Sequence, residues 1–203
     1  MSVEIAEAST SALADYARIR IAFEVREVLR VDAPQQGLGG LTLRAEPVAV
    51  PYWKDYDADP SSHPTRWTTM FDMASWAVLV ASQYGRWVGG AVVAWNSPGL
   101  DMLEGCRDLA VLWDLRVAPT SRRQGIGASL FRAAEAWAIG RGVRRLKVET
   151  QNINVPACRF YIGQGCALGA IHRFAYPALA EEVQLLWSKD LAGERTGPRP
   201  DNH

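Results

Sequence analysis

Apolar and polar positions alternate along the early part of the chain in a way that predicts paired strands. Ile19, Ile21, Phe23, Val25, Leu29 and Val31 are apolar and the even positions between them mostly polar, the period-two pattern of a long half-buried strand. Leu41 to Val50 reads as a second strand, with Pro47 near its end or at an edge because proline cannot donate to a ladder. Two apolar segments, Ala74 to Ala81 and Trp87 to Trp95, are joined by Ser82-Gln83-Tyr84-Gly85-Arg86, a hairpin signature, and Asn96-Ser97-Pro98-Gly99 breaks the second. Leu109 to Val117 is apolar except for Asp114 and Arg116, as expected of a central strand. Ile126, Leu130, Ala133, Ala134 and Trp137 then recur with the period of an amphipathic helix. Arg145 to Thr150 is a short strand, Asn154 to Tyr161 a helix, and Ala167 to Phe174 and Val183 to Trp187 are closing strands separated by Tyr176-Pro177. Ser2 to Ala14 reads as a small, polar lead-in, and Pro51 to His63 as a loop or irregular helix.

This order of elements predicts an α/β (α+β) fold: a mixed central sheet flanked by helices, in one domain over residues 1–190. Residues 191–203 read as a disordered tail, being rich in proline, glycine and charge. Lys+Arg and Asp+Glu are both 22, so the summed charge offers no general attraction to nucleic acid or an anionic membrane. No apolar run approaches the roughly 20 residues of a spanning helix, and a charged N-terminal region followed by an apolar signal core is missing, which predicts a cytoplasmic protein. Cys106, Cys158 and Cys166 are odd in number and lack Cys-x-x-Cys spacing, and the histidines are scattered, so neither a disulfide framework nor a metal site is expected.

Candidate chemistry concentrates where the central strand runs into the long helix. The loop Arg122-Arg123-Gln124-Gly125-Ile126-Gly127 sits between them. Glycines let a backbone approach an anion closely, unpaired amides at a helix start donate to phosphate oxygens, and arginines add charge-assisted hydrogen bonds. A tight turn before a helix is the plainer reading of the same residues. A dinucleotide site is disfavoured, although Glu149 lies near the distance expected of a ribose-binding acid. Leu130 stands at the third glycine position, the glycines lie well beyond the strand, and the preceding chain reads as hairpins. A Walker loop is excluded because no Gly-Lys-Ser/Thr follows.

Arg122-x-x-Gly125-x-Gly127, then a strand, then Asn154-x-x-Ala157-x-x-Phe160-Tyr161-x-x-x-Gly165 resembles the acetyl-CoA-binding core of the GNAT superfamily of N-acetyltransferases. Within it, Glu149-Thr150-Gln151-Asn152-Ile153-Asn154 followed by Ala157-Cys158 and Phe160-Tyr161 is similar to the corresponding run of streptothricin acetyltransferases. Phe23-Glu24-Val25, Pro51-Tyr52 before an acidic loop, and Tyr176 ahead of a strand carrying Trp187 are similar to shorter pieces of them. The superfamily match covers about Leu109 to Trp187, and the narrower match is patchy before that. One departure is plain: those enzymes have Glu-Asp on the central strand where this chain has Trp113-Asp114.

The resemblance implies a sheet of six or seven strands splayed at the cofactor site, and direct transfer of acetyl from acetyl-CoA to a primary amine without a metal. Backbone groups of Leu115, Arg116 and Val117 would pair with pantetheine like an added strand. The amides of Arg122, Arg123, Gln124, Gly125, Ile126, Gly127 and Ala128 would hold the pyrophosphate. Asn154 would hydrogen-bond the pantetheine arm, cap its helix, or do both. An amine of pKa about 10 needs a proton acceptor, direct or through water, and Glu149 and Asp114 are the candidates; each has a charge-pairing alternative with Arg116, Arg145 or Lys147. The leaving thiolate needs a proton, and Tyr161 is placed by the motif to give it, unless it serves only as a core residue beside Phe160.

For the acceptor, Asp55, Asp57 and Asp59 alternate in a segment with Tyr52, Trp53 and Tyr56, offering negative charge and aromatic faces to a cation; a solvated charge run is the alternative. The narrower resemblance favours a small polyamine-like antibiotic of the streptothricin type, conferring resistance. A protein or peptide acetyltransferase acting on lysines or N-termini, and a non-catalytic acyl-CoA sensor, are the other readings. Sequence leaves the oligomeric state open, a homodimer included.

Overall fold

In the computed structural model, which describes residues 3–192, the hairpin signature at Tyr84-Gly85 joins β4 (Ala77–Gln83) to β5 (Arg86–Ala94). Both turn residues have positive φ, 52° and 72°, so the turn's twist matches that of the strands. These two lie within a seven-stranded mixed sheet of order β1-β4-β5-β6-β7-β9-β8, completed by β1 (Glu4–Ala8), β6 (Leu109–Val117), β7 (Arg145–Gln151), β8 (Ala167–His172) and β9 (Gln184–Asp190). The β6–β7 pair is parallel and the other pairs are antiparallel. A parallel pair needs a crossover, here supplied by α3 (Ile126–Ile139).

Three expectations need correction. The polar lead-in contains β1, which pairs antiparallel with β4 at the sheet edge, and then α1 (Leu13–Tyr16). A five-residue strand of small residues and glutamates carries too little alternation to be recognised. The early strand starts at Phe23 rather than Ile19: β2 (Phe23–Asp32) forms a separate two-stranded arm with β3 (Thr42–Lys54). A bulge between Val25 and Glu27 breaks the odd-position series, so Val25 and Val28 are the residues of β2 that are buried. β3 also runs on through Pro51, Tyr52 and Trp53, which are strand and not loop. The tail expected at 191–203 falls outside the described residues from 193 onward.

Each face of the large sheet carries its own core. Ile126, Leu130, Phe131, Ala134 and Ala138 of α3 pack on Leu79, Val93, Leu112, Leu146 and Val148. On the opposite face Tyr16, Trp67, Trp76, Val78, Val92 and Val111 form the second cluster, with Trp67 in the short helix α2 (Trp67–Met70). Gly90 on β5 lets Tyr16 lie directly on the backbone. A Cβ there would come within 2.4 Å of Tyr16 Cε2 and 3.0 Å of Leu79 O. Gly90→Ala is therefore expected to destabilise the fold by about 1–3 kcal/mol through overpacking, read as a lower midpoint in denaturant unfolding.

Candidate active site

The central strands part at their C-terminal ends. β6 and β7 pair over Leu109–Leu112 and Arg145–Val148 only. Beyond that point the edge of β6 facing away from β5 is unpaired while β5 continues alongside to Val117, leaving backbone groups of Leu115 to Val117 open to an added strand. A register shift opposite Val92 and Val93 makes Trp113 a bulged residue. It puts Trp113 and Asp114, neighbours in sequence, both toward the face that carries Tyr16 and Trp67. The gap opens into a cavity of about 1180 Å³.

One end of this cavity is a phosphate-sized cradle. Gly125 is left-handed (φ 80°) and starts α3, whose first internal hydrogen bond runs from Ser129 N to Gly125 O at 3.0 Å. Helix geometry then leaves the amides of Ile126, Gly127 and Ala128 without intrahelical partners. Arg123 is also left-handed (φ 62°), a costly conformation for a residue other than glycine and one that turns successive amides to one side. The side chains of this loop divide their work. Arg122 donates to the carbonyls of Val117 (3.0 Å) and Ala22 (3.0 Å), and burial lowers its pKa, so it fastens the loop to the chain before β2. Gln124 donates to Thr120 O, and Ile126 is buried in the core. Neither side chain lines the cavity, whereas Arg122, Arg123, Gly125, Gly127 and Ala128 do. Across the gap, α4 (Val155–Gly163) begins at Asn154, whose Oδ1 caps the helix by accepting from Ala157 N at 3.2 Å while the residue also lines the cavity.

The two candidate carboxylates have different surroundings. Asp114 accepts from Tyr16 Oη (2.9 Å) and Arg116 Nε (3.1 Å) on one oxygen and from Arg116 Nη2 (2.5 Å) on the other. The same guanidinium donates to Asp57 at 2.9 and 3.3 Å and to Ile19 O at 3.1 Å. Burial alone would depress the Arg116 pKa, but the charge and hydrogen bonds of Asp114 outweigh it and raise it. Glu149, by contrast, is held by neutral donors: Tyr176 Oη at 2.5 Å, Gln184 Nε2 at 2.8 Å and Gln151 Nε2 at 3.5 Å. Lys147 turns away from it to Glu104 and Met102 O. Tyr161 lines the cavity from α4, and burial first, then the charge of Asp114, raises its pKa, keeping the phenol protonated near neutrality.

The other end of the cavity is built from segments outside the large sheet. The loop after β3 brings Asp55, Tyr56, Asp57 and Asp59; α2 and the residue after it bring Trp67, Met70 and Phe71; the β8–β9 connection brings Tyr176, Leu179 and Glu182. Phe71 and Trp67 meet Trp113 edge-on, with ring centroids 5.1 and 6.5 Å apart. Asp55 accepts from Asp57 N and Asp59 from Ser61 N and Oγ, so both cap turns while remaining exposed. Asp57 is not part of a solvated run: its ion pair with Arg116 clamps the loop to β6. Tyr52, paired with Val25 across the arm, does not line the cavity and is 43% exposed. Asn152, buried just past β7, donates to the carbonyls of Leu29 and Glu181 and accepts from Val183 N, tying arm and roof to the sheet.

The family model for the acetyltransferase (GNAT) family matches residues 45–165, more than half of the chain, including the parted strands β6 and β7 and the start of α3. The chain belongs to the GNAT acetyltransferase family. Streptothricin acetyltransferase of Escherichia coli is 29% identical over 168 residues, covering 81% of this chain and 83% of its own. Among solved structures, nourseothricin acetyltransferase superposes with a TM-score of 0.74 at 24% identity, covering 94% of this chain and 99% of its own. A Bacillus anthracis chain assigned to the streptothricin acetyltransferases and crystallised with acetyl coenzyme A gives 0.73 at 23%, covering 93% and 99%. This GNAT acetyltransferase therefore has acetyl-CoA as its donor, and the cradle at α3 and the open edge of β6 suit a pyrophosphate and an extended amide chain. Among the described residues no helix is long and apolar enough to cross a membrane.

Several groups of the GNAT site carried no signal in sequence. The wall of Trp67, Met70 and Phe71 comes from a stretch with no period, and Trp113 was visible only as a departure from a pattern. The pairing of Arg116 with Asp57 spans 59 positions and could not be read from spacing.

Proposed function

We propose that this acetyltransferase acetylates a primary amine of a small polycationic molecule, a streptothricin-type antibiotic being the favoured acceptor. The observation that carries the reading is the charge of the acceptor end. Asp55, Asp57, Asp59, Asp114, Glu149 and Glu182 line the cavity, against Lys54 and Arg116, and both cations are already paired, Lys54 with Glu182 at 2.5 Å. Such an end attracts a molecule with several ammonium groups and disfavours a neutral or anionic one. The likeness to streptothricin acetyltransferase in sequence supports the same choice.

In this reading Glu149 takes a proton from the substrate ammonium, directly or through water, and so frees the amine to attack; its three partners are neutral and it is in no ion pair among the described residues. Asp114 instead positions Arg116 and the strand. Open amides of β6 and the Asn154 side chain align the pantetheine arm, and the α3 amides with Arg123 hold the pyrophosphate. Tyr161 delivers a proton to the departing sulfur. The neutral amine nitrogen forms its bond to the acetyl carbon as the carbon–sulfur bond breaks, and it loses its second proton to water while Tyr161 regains one from solvent, leaving an amide and a thiol.

Purified protein is expected to release free thiol from acetyl-CoA in step with monoacetylation of streptothricin. Asp55→Asn with Asp59→Asn, which keeps both turn caps and leaves Asp57 in place, should raise KM for the antibiotic and flatten its dependence on ionic strength, while acetyl-CoA affinity holds. Acetylation of peptide N-termini in preference to streptothricin would overturn the acceptor assignment.

A further inference from the structure

Tyr56, in the loop after β3, lines the cavity, and its hydroxyl oxygen is buried with no hydrogen-bond partner among the described residues. The ring is fixed before any ligand arrives. It packs on Phe23 with centroids 5.6 Å apart, Lys54 lies over it at 5.8 Å, and the next residue is clamped to Arg116. The hydroxyl lies beside the Asn154 side chain without a hydrogen bond of acceptable geometry to it, and within the field of Glu182 and Glu149, where the sheet forks. A buried hydroxyl without a partner is costly, so one held this firmly on a residue that lines the cavity points to a ligand atom that completes it.

What that atom must be follows from the hydroxyl's chemistry. Burial raises the Tyr56 pKa, so near neutrality the group carries its proton and needs an acceptor. The carboxylate of Glu149 accepts from Tyr176, Gln184 and Gln151 and makes no hydrogen bond with Tyr56. An acceptor-substrate ammonium has only protons to offer and would leave this one unmatched. A carbonyl oxygen fits. The pantetheine arm, which Asn154 and the open edge of β6 are placed to align, carries amide carbonyls and, when acetylated, a thioester carbonyl.

We propose that Tyr56 is a donor-binding residue: its hydroxyl gives a hydrogen bond to a carbonyl oxygen of the pantetheine arm of acetyl-CoA. The inference rests on the acetyl-CoA site described above. It makes the loop that receives the amine part of the donor site as well, so that the acceptor end is completed when the donor is in place.

The test is calorimetry with acetyl-CoA and with CoA on wild type and Tyr56→Phe, together with thermal unfolding of both proteins without ligand. Phenylalanine keeps the packing on Phe23 and removes only the orphaned group, so Tm is expected to stay the same or rise. Affinity for acetyl-CoA should fall roughly five- to tenfold, the worth of one hydrogen bond to a neutral carbonyl. Equal weakening of CoA places the bond on a pantetheine amide; weakening of acetyl-CoA alone places it on the thioester; either supports the proposal. Unchanged affinity for both ligands overturns it, and so does a rise in amine KM with donor affinity intact, which would assign the hydroxyl to the acceptor. If wild type binds neither ligand, the donor-site reading itself fails and takes this one with it.

Discussion

Tyr161→Phe is expected to lower kcat by roughly 10²-fold or more, with acetyl-CoA affinity and amine KM nearly unchanged. The phenol sits in the cavity wall with its proton retained by burial, and that proton is useful only as charge develops on the departing sulfur. A group that acts late in the reaction alters the maximal rate and leaves ground-state binding alone. The ring contacts with Phe131 and Phe160, at 6.0 and 5.1 Å, survive the substitution, so the folded protein should keep its Tm. Rates from steady-state kinetics, set beside calorimetric Kd values for the donor, decide the matter. Wild-type turnover in the variant would return Tyr161 to a packing role.

The second large effect concerns stability. Arg116→Met is expected to cost about 3–5 kcal/mol, because it leaves the carboxylates of Asp114 and Asp57 buried without their counter-charge. The guanidinium side chain is 1% exposed, and the Asp114 and Asp57 side chains are 8% and 17% exposed. Desolvation dominates in such a place, and removing one member is worse than removing all. Adding Asp57→Asn and Asp114→Asn to the methionine variant should therefore recover part of the loss, which equilibrium unfolding in urea would measure. A single variant within about 0.5 kcal/mol of wild type would mean that water screens the cluster and that the clamp is weak.

The elements that frame the proposed donor half were legible because they depend on short-range chemistry. A strand, a glycine loop and a helix start follow one another within Leu109–Ile139, and Asn154 precedes its helix by one position, so periodicity and capping rules reach them. The acceptor half was less legible. Tyr52 and Tyr56 are four positions apart in one aromatic, acidic run, yet one is exposed on a strand and the other buries its hydroxyl beside the cavity. The deciding fact is where β3 ends, at Lys54. Asp57 looked like its exposed neighbours Asp55 and Asp59 until Arg116 was found beside it. A bulge at Trp113, a bulge in β2 and ion pairs across the chain are tertiary events, and alternation of residue types carries no trace of them.

Asp57 and Arg116 join two parts of the molecule that otherwise answer to different demands. In the proposed reading most of the surface offered to the amine sits on a loop and a short helix, with Glu149 of the sheet as its base, while the donor is held by the sheet and its helices, with Tyr56 the loop residue that reaches it. Residues such as Asp55, Asp59 and Met70 can therefore vary to suit a new acceptor without consequence for the donor, which leaves this enzyme room to drift in selectivity. The clamp marks the boundary of that freedom: a change at Asp57 alters the strand that carries the donor, so a redesign of acceptor choice should leave that position fixed.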